Sequence, residues 1–283
     1  MIGFFNILKP TGISSGAVVN AIKRRTKQKV GHLGTLDPAA SGVLTIAIGK
    51  ATRFFDYFLG KDKEYVALGK FGVETDTLDG EGTVLSRDDK QVSLEQINKI
   101  LPVQIGEIEQ MPPLYSAKNV NGIRAYDAAR KGIDIKLSAK KVHIFDIKAQ
   151  KTTISNLFRF KIHCSSGTYV RSIVRDIAYA LGTKATTVVI IRTRSGPFDI
   201  SSSNLLEEVL DQPQKCLLKV NDILKFDEYN LSQSEANDLA SGKHIKVDLK
   251  DGRFLAFKDS KEFCVLLVKS GEAESEIYLY EGE

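Results

Sequence analysis

The chain has 283 residues, 42% of them hydrophobic, and a formal charge of +5 from 40 Lys/Arg against 35 Asp/Glu, which is material enough for one large and one small core. No apolar run approaches the roughly 18 residues that span a bilayer, and the opening MIGFFNILKP lacks a basic stretch followed by a long apolar one, so a soluble cytoplasmic protein without membrane contact is expected. Three widely spaced cysteines (Cys164, Cys216, Cys264) and four histidines, with no CxxC or HxxxH spacing, argue against a disulfide framework and a structural zinc site.

Along the chain, Pro10 and Gly12 break the backbone before Ser14 and Ser15, either of which can cap a helix running to about Arg25 with Val18, Val19 and Ile22 on one face. Val43, Ile46 and Ile48 read as a buried strand, and Lys50 to Leu59 as a short amphipathic helix. Alternation from Glu64 to Phe71 puts Tyr65, Ala67 and Phe71 on one side of a second strand. Ser93 with Gln96 forms a capping box for a helix that Pro102 closes. Met111 to Lys151 begins with Pro112 and Pro113 and is rich in Lys, Arg, Gly and Asn, the composition of an excursion that moves or touches a ligand. Leu157, Ile162 and Cys164 lie in another strand; after Ser165, Ser166 and Gly167 a helix carries Ile173, Ile177 and Leu181 on its inner stripe. Periodicity weakens over 212–228, and a short helical piece (SQSEANDLASG) with strands near 254–257 and 263–268 follows. This irregular alternation predicts an α+β fold. A mixed, largely antiparallel sheet flanked by helices occupies residues 1–225, with an insertion at about 112–151, and a small β-rich domain occupies 226–283.

Charge is segregated along this order. Residues 1–53 carry eight Lys/Arg and a single acid, Asp37; residues 118–161 carry eleven Lys/Arg and three Asp; residues 226–283 carry seven basic and thirteen acidic residues. Two basic segments ahead of an acidic tail point to a polyanionic partner for the larger part of the chain, most simply a nucleic acid.

The most unusual local sequence is Gly31-His32-Leu33-Gly34-Thr35-Leu36-Asp37-Pro38-Ala39-Ala40-Ser41-Gly42. Its glycines allow close backbone approach, and Pro38 pushes Asp37 out of the helical region. Asp37 is the lone acid among eight cations, a setting that suits a nucleophile better than a proton donor, although Asp-Pro is also a common turn signal.

This segment resembles the catalytic motif of the TruB family, the tRNA pseudouridine-55 synthases. Six further matches follow in the family's order. They are Lys9-Pro10-Thr11-Gly12-Ile13-Ser14-Ser15, Asp62-Lys63-Glu64-Tyr65, Thr75-Asp76-Thr77-Leu78-Asp79-Gly80-Glu81-Gly82, Pro113-Leu114-Tyr115-Ser116-Ala117-Lys118, Gly167-Thr168-Tyr169-Val170-Arg171-Ser172 and Arg192-Thr193-Arg194-Ser195-Gly196-Pro197-Phe198. Each alone is weak, but in order across residues 1 to 200 they make chance negligible.

The resemblance implies a pseudouridine synthase catalytic domain with a thumb-like insertion, acting on the T-arm of tRNA as a monomer with no obligate protein partner. It implies that Asp37 activates the target uridine so that the base detaches, rotates and rejoins through carbon 5, with neither metal nor cofactor. Tyr65 is then expected to stack on the flipped base and assist removal of the carbon 5 proton, and Arg171 to pair with Asp37. His32 is expected beside the opened bases, Tyr169 and Ile190 in the uracil pocket, and Lys9 among the substrate-binding residues. Ile190 stands where the family more often has Leu, a nearly volume-conserving change, and Leu33 replaces a commoner small polar residue. The C-terminal segment resembles, more loosely, a PUA RNA-binding domain, although its acidic balance argues against a strong phosphate-binding surface. The competing readings are a guide-RNA-dependent pseudouridine synthase and an RNA-binding module that helps tRNA fold without chemistry. The full insertion favours a stand-alone protein, and intact Asp37, Tyr65 and Arg171 favour an enzyme.

Overall fold

The computed structural model describes residues 1–116, 119–120, 122–133 and 137–280. After β1 (Gly3–Lys9) comes α1 (Ser15–Thr26), capped by Ser14, whose Oγ accepts the Ala17 amide at 3.1 Å. Val18 and Ile22 fill its buried face, and Lys23, Arg24 and Arg25 sit in the last turn, where the helix dipole favours cations. β2 (Val30–His32) and β3 (Ser41–Ile48) flank the loop that holds Asp37. The single helix expected over 50–59 is instead a 3-10 turn, Gly49–Phe54, leading into α2 (Phe55–Leu59). Gly49 at φ +63° and a 2.9 Å bond from Thr52 Oγ1 to its carbonyl tighten that first turn.

β4 (Lys63–Phe71) alternates in burial over its whole length. It is followed by β5 (Val73–Thr75), β6 (Val84–Arg87), α3 (Leu94–Ile100) behind its Ser93/Gln96 capping box, and β7 (Gly106–Gln110). The short β8 (Asn119–Val120), β9 (Ile123–Arg124) and α4 (Ala125–Arg130) precede β10 (Lys140–Lys151), β11 (Leu157–Cys164), α5 (Val170–Ala180) and β12 (Ala185–Ser195). β13 (Phe198–Asp199), β14 (Asn204–Leu205), α6 (Leu206–Asp211), α7 (Pro213–Cys216) and α8 (Val220–Leu224) complete the first unit.

The main sheet runs β14-β1-β3-β12-β4-β11-β10-β7, with β2 on β3 and β13 on β12. β1/β14 and β3/β12 pair in parallel, and the remaining pairings are antiparallel, as expected for the α+β class. Lys140–Lys151 is therefore a strand of the main sheet, between β11 and β7, and the excursion expected to run to 151 ends before residue 140. A β-bulge between Ile144 and Asp146 breaks the strand's two-residue period, which hides it in the sequence.

One hydrophobic cluster lies between this sheet and the inner faces of α1, α3 and α5, with Ile22, Ile97 and Ile177 facing Phe158, Phe160 and Phe71. The C-terminal segment forms β15 (Asp227–Asn230), α9 (Gln233–Ala240), β16 (Ile245–Lys246), β17 (Gly252–Lys258), β18 (Lys261–Lys269) and β19 (Glu272–Tyr278). Its sheet order is β15-β17-β18-β19-β16. A second cluster joins it to the first sheet, because Leu255, Val265 and Leu279 pack with Phe4, Phe54, Phe58 and Phe198. Phe4 sits among those three rings at centroid distances of 5.2 to 6.0 Å. No helix among the described residues is long and apolar enough to cross a membrane.

Candidate active site

The loop between β2 and β3 is held from below by buried polar groups, which leaves Asp37 at its surface. Ser15 Oγ accepts the Leu36 amide at 2.9 Å and donates to the Leu36 carbonyl at 2.8 Å, and the Gly12 amide donates to Pro38 O at 2.9 Å. The Lys9 ammonium donates to the carbonyls of Pro10, Ile13 and Pro38 at 2.8, 2.8 and 3.3 Å. Arg192 spans the loop from β12, donating through Nε to Val43 O at 2.7 Å and through Nη1 and Nη2 to Thr35 O and Gly34 O at 3.0 and 3.1 Å. Gly42, at φ +105°, lets the β3 backbone pass Arg192 where a Cβ would collide with it. All the loop carbonyls named here are thereby paired inside the protein, and the loop is fixed without any contact to the Asp37 carboxylate.

That carboxylate, about one-third exposed, accepts a 2.6 Å bond from Nη2 of Arg171, which is itself 4% exposed. Arg171 stands in the first turn of α5, where the dipole disfavours a cation, and its surroundings compensate. Nη1 donates to Thr77 O at 2.8 Å and approaches Asp79 Oδ2 at 3.4 Å, while Nη2 also reaches Tyr115 O at 3.1 Å. Asp79 is oriented in turn by the Thr77 hydroxyl at 2.5 Å and the Glu81 amide at 3.2 Å. The Arg171–Asp37 pair was expected from sequence; Asp79, Thr77, Tyr115 and Arg192 were not singled out, although each lies in one of the quoted motifs. Ala117 and Lys118, which end the Pro113–Lys118 motif, lie outside the described residues.

Asp37, Arg171, Tyr65, Tyr169 and Ile190 line one cavity of about 720 Å³, room enough for a nucleotide. Tyr65 reaches it from β4, 8% exposed, and burial pushes its phenol above the ordinary range, so it is neutral at pH 7. Tyr169 is raised in the same direction by burial, and its backbone is bracketed by Gln110, which accepts its amide at 2.8 Å and donates to its carbonyl at 3.2 Å. Ile190 opposes Ala67 across the β12/β4 ladder. His32 lies on β2 opposite Ile46, outside the cavity lining. Lys9, grouped with the substrate-binding residues from sequence, is fully buried and absent from the lining; this is a correction, because its three N–H donors are used by protein carbonyls to hold the loop. Among the described residues, no three His, Cys, Asp or Glu side chains gather into a metal-holding group.

Beside the cavity mouth, Arg194 ties the ends of β4 and β12, donating to Asp62 Oδ2 at 2.7 Å and to Glu64 Oε1 at 2.8 Å, while His163 meets Asp62 at 2.5 Å. The Arg194 hydrogen bond, chiefly, lowers Asp62 to about 2. A carboxyl lowered on folding stabilises the fold above its unfolded value near 3.8 and ceases to do so as pH falls toward 2. Arg194→Met is thus expected to cost about 1 kcal/mol at pH 7, after allowance for partial exposure. The gap to the parent protein should narrow between pH 4 and 2, as read by urea unfolding at each pH; a gap independent of pH would remove Asp62 from the explanation.

Comparison with known proteins places the chain in a family. The model of the TruB family pseudouridylate synthase N-terminal domain matches residues 23–170. A tRNA pseudouridine synthase B of Clostridium acetobutylicum is 40% identical over 287 residues, covering 95% of this chain and 99% of that protein. The protein of the same name from Borreliella afzelii is 35% identical over 95% of each chain. Among solved structures, one described as a Cbf5-Nop10-Gar1 complex superposes with a TM-score of 0.70 at 23% identity, covering 98% of this chain and 84% of that one, a likeness of fold.

Proposed function

The chain belongs to the TruB family of pseudouridylate synthases, and from that premise we propose that it is a stand-alone, cofactor-free tRNA pseudouridine synthase acting on the T-loop uridine at position 55. The observation that carries this reading is the Asp37 carboxylate, held 2.6 Å from a buried guanidinium at the wall of a nucleotide-sized cavity that Tyr65 also lines.

In this reading the target uridine leaves the T-loop stack and enters the cavity, where Tyr65 and Ile190 lie against the base. Asp37 activates the nucleoside, the N1–C1′ bond breaks, the base turns, and a C5–C1′ bond forms; the proton on carbon 5 is lost and N1 gains one, so nothing is oxidised or reduced. Arg171 keeps Asp37 aimed and offsets its charge, and Asp79 on the far side of Arg171 helps anchor that guanidinium. His32 stands beside the bases that the departing uridine leaves unstacked. Residues 1–225 are the catalytic part; residues 226–283 form a PUA-like domain whose acidic balance gives it a minor share of phosphate contact. The protein works as a cytoplasmic monomer on the T-arm.

The direct test is release of tritium from an unmodified tRNA transcript carrying [5-³H]uridine, with chelator present and no cofactor added. About one equivalent per tRNA is expected, and no release from folded protein would contradict the reading. Tyr65→Phe separates ring from hydroxyl. Stacking, typically about 1 to 3 kcal/mol per base, persists, so tRNA affinity should hold. Turnover should fall by about 100-fold or more if the phenol relays the carbon 5 proton. Equal single-turnover rates in the two proteins would reduce Tyr65 to a stacking surface.

A further inference from the structure

Lys63 is a cation of the cavity that the proposed reaction leaves without a task. It is the first residue of β4, two positions before Tyr65, so both side chains leave the same face of the strand about 7 Å apart along it. It is 6% exposed and lines the cavity, with its Cε beside Gly34 of the Asp37 loop.

Its ammonium donates to the Lys61 carbonyl at 2.8 Å and, among the described residues, to nothing else. The adjacent carboxylate, Asp62, is committed to Arg194 and His163. Burial, with Arg192 nearby, lowers Lys63 to about 8. Lys9 is lowered to about the same value by burial, but there three carbonyls take all three N–H donors; Lys63 keeps two donors that no described protein group accepts. A desolvated cation with unused donors is stabilised by an arriving anion. Lys140 also lines the cavity, against Gly167; the carboxylates of the lining are Asp37, which is paired with Arg171, and Asp56.

The uracil and ribose of a flipped uridine are neutral; its only anions are the phosphodiesters on either side. We infer that Lys63 binds one of the two phosphodiesters flanking the flipped uridine, seating the nucleotide with its base on Tyr65. The inference rests on the function proposed above and adds to it a positioning residue for the substrate backbone.

The experiment uses the full-length protein and T-arm hairpins in which one flanking linkage, 5′ or 3′ to the target, is an uncharged methylphosphonate. The nucleoside preceding that linkage carries a 2′-O-methyl group so that the linkage survives, and control hairpins carry the same methyl group on an ordinary phosphodiester. Lys63→Met should lower kcat/KM on the control by about 10- to 100-fold and reduce the salt slope of binding by about one. The parent protein should lose a similar factor on one of the neutral linkages, and the variant should lose nothing more on that hairpin. Lys63→Arg, which keeps the charge, should recover part of the loss. Should Lys63→Met fail to fold, Lys63→Gln takes its place with the same expected pattern. Parent activity that is indifferent to both neutral linkages, or losses that multiply when variant and neutral linkage are combined, would overturn the assignment. Absence of product from an unmodified T-arm hairpin with the parent protein is a separate result, which removes the proposed function and this inference with it.

Discussion

Asp37→Asn is expected to abolish turnover while leaving tRNA affinity within a few-fold of the parent protein. The substitution keeps the side chain's shape and the turn before Pro38 but removes both the charge and the proposed nucleophile. Interactions made only during the reaction are lost, and those with phosphates and stacked bases remain. A fall of about 10⁴-fold or more in the single-turnover rate is the scale set by removing an essential nucleophile. The structure also bounds the effect on stability. Arg171 keeps Asp79, Thr77 O and Tyr115 O when Asp37 is neutralised, so the buried guanidinium is not stranded. The loss is then about 1 to 2 kcal/mol rather than the 3 to 5 expected when a buried charge loses its only partner. An Asp that merely made a turn would give the opposite pattern, with activity retained. Affinity, single-turnover rate and melting temperature measured on one preparation distinguish the two.

Arg192→Met is expected to give the largest loss of stability among the site residues, about 3 to 5 kcal/mol, together with a large loss of rate. Arg192 is 1% exposed and serves Val43 O, Thr35 O and Gly34 O, so its removal leaves three carbonyls unpaired beneath the Asp37 loop. Met fills similar volume, which confines the change to polar pairing. Arg192→Lys should recover little, because one ammonium cannot reproduce a planar fork directed at carbonyls in two segments. Urea unfolding with an unchanged m-value and a lowered midpoint is the expected reading. A variant as stable as the parent would show that the loop does not depend on Arg192.

These two residues mark the division between what sequence reading reached and what it did not. Asp37 stood out because it is a lone acid among cations in a glycine-rich segment, and the ordered motifs supplied Arg171 and Tyr65. Arg192 and Lys9 also lie in those motifs, but their work is to satisfy backbone carbonyls, Arg192 on a loop about 150 residues away, and no spacing rule reports the pairing of buried carbonyls. Asp79 escaped notice for a related reason, since its partner Arg171 is 92 residues distant and the two meet only where α5 packs over the loop after β5. Local signals served better for the fold. Ser14, the Ser93/Gln96 box and the strict alternation of β4 are written within a few residues. β10 failed that test: its bulge interrupts the alternation, and Lys141, His143 and Phe145 are exposed, giving a strand of the main sheet the composition of a loop. β15 and β16, four and two residues long, are too short for periodicity to detect.

The most direct test of the central claim is to map pseudouridine along a full-length unmodified tRNA transcript after a single turnover with the parent protein and with Asp37→Asn. The expected result is pseudouridine at one T-loop uridine, position 55, with the parent protein and at none with the variant. Pseudouridine confined to another arm, absent altogether, or formed at position 55 by the folded variant would contradict it.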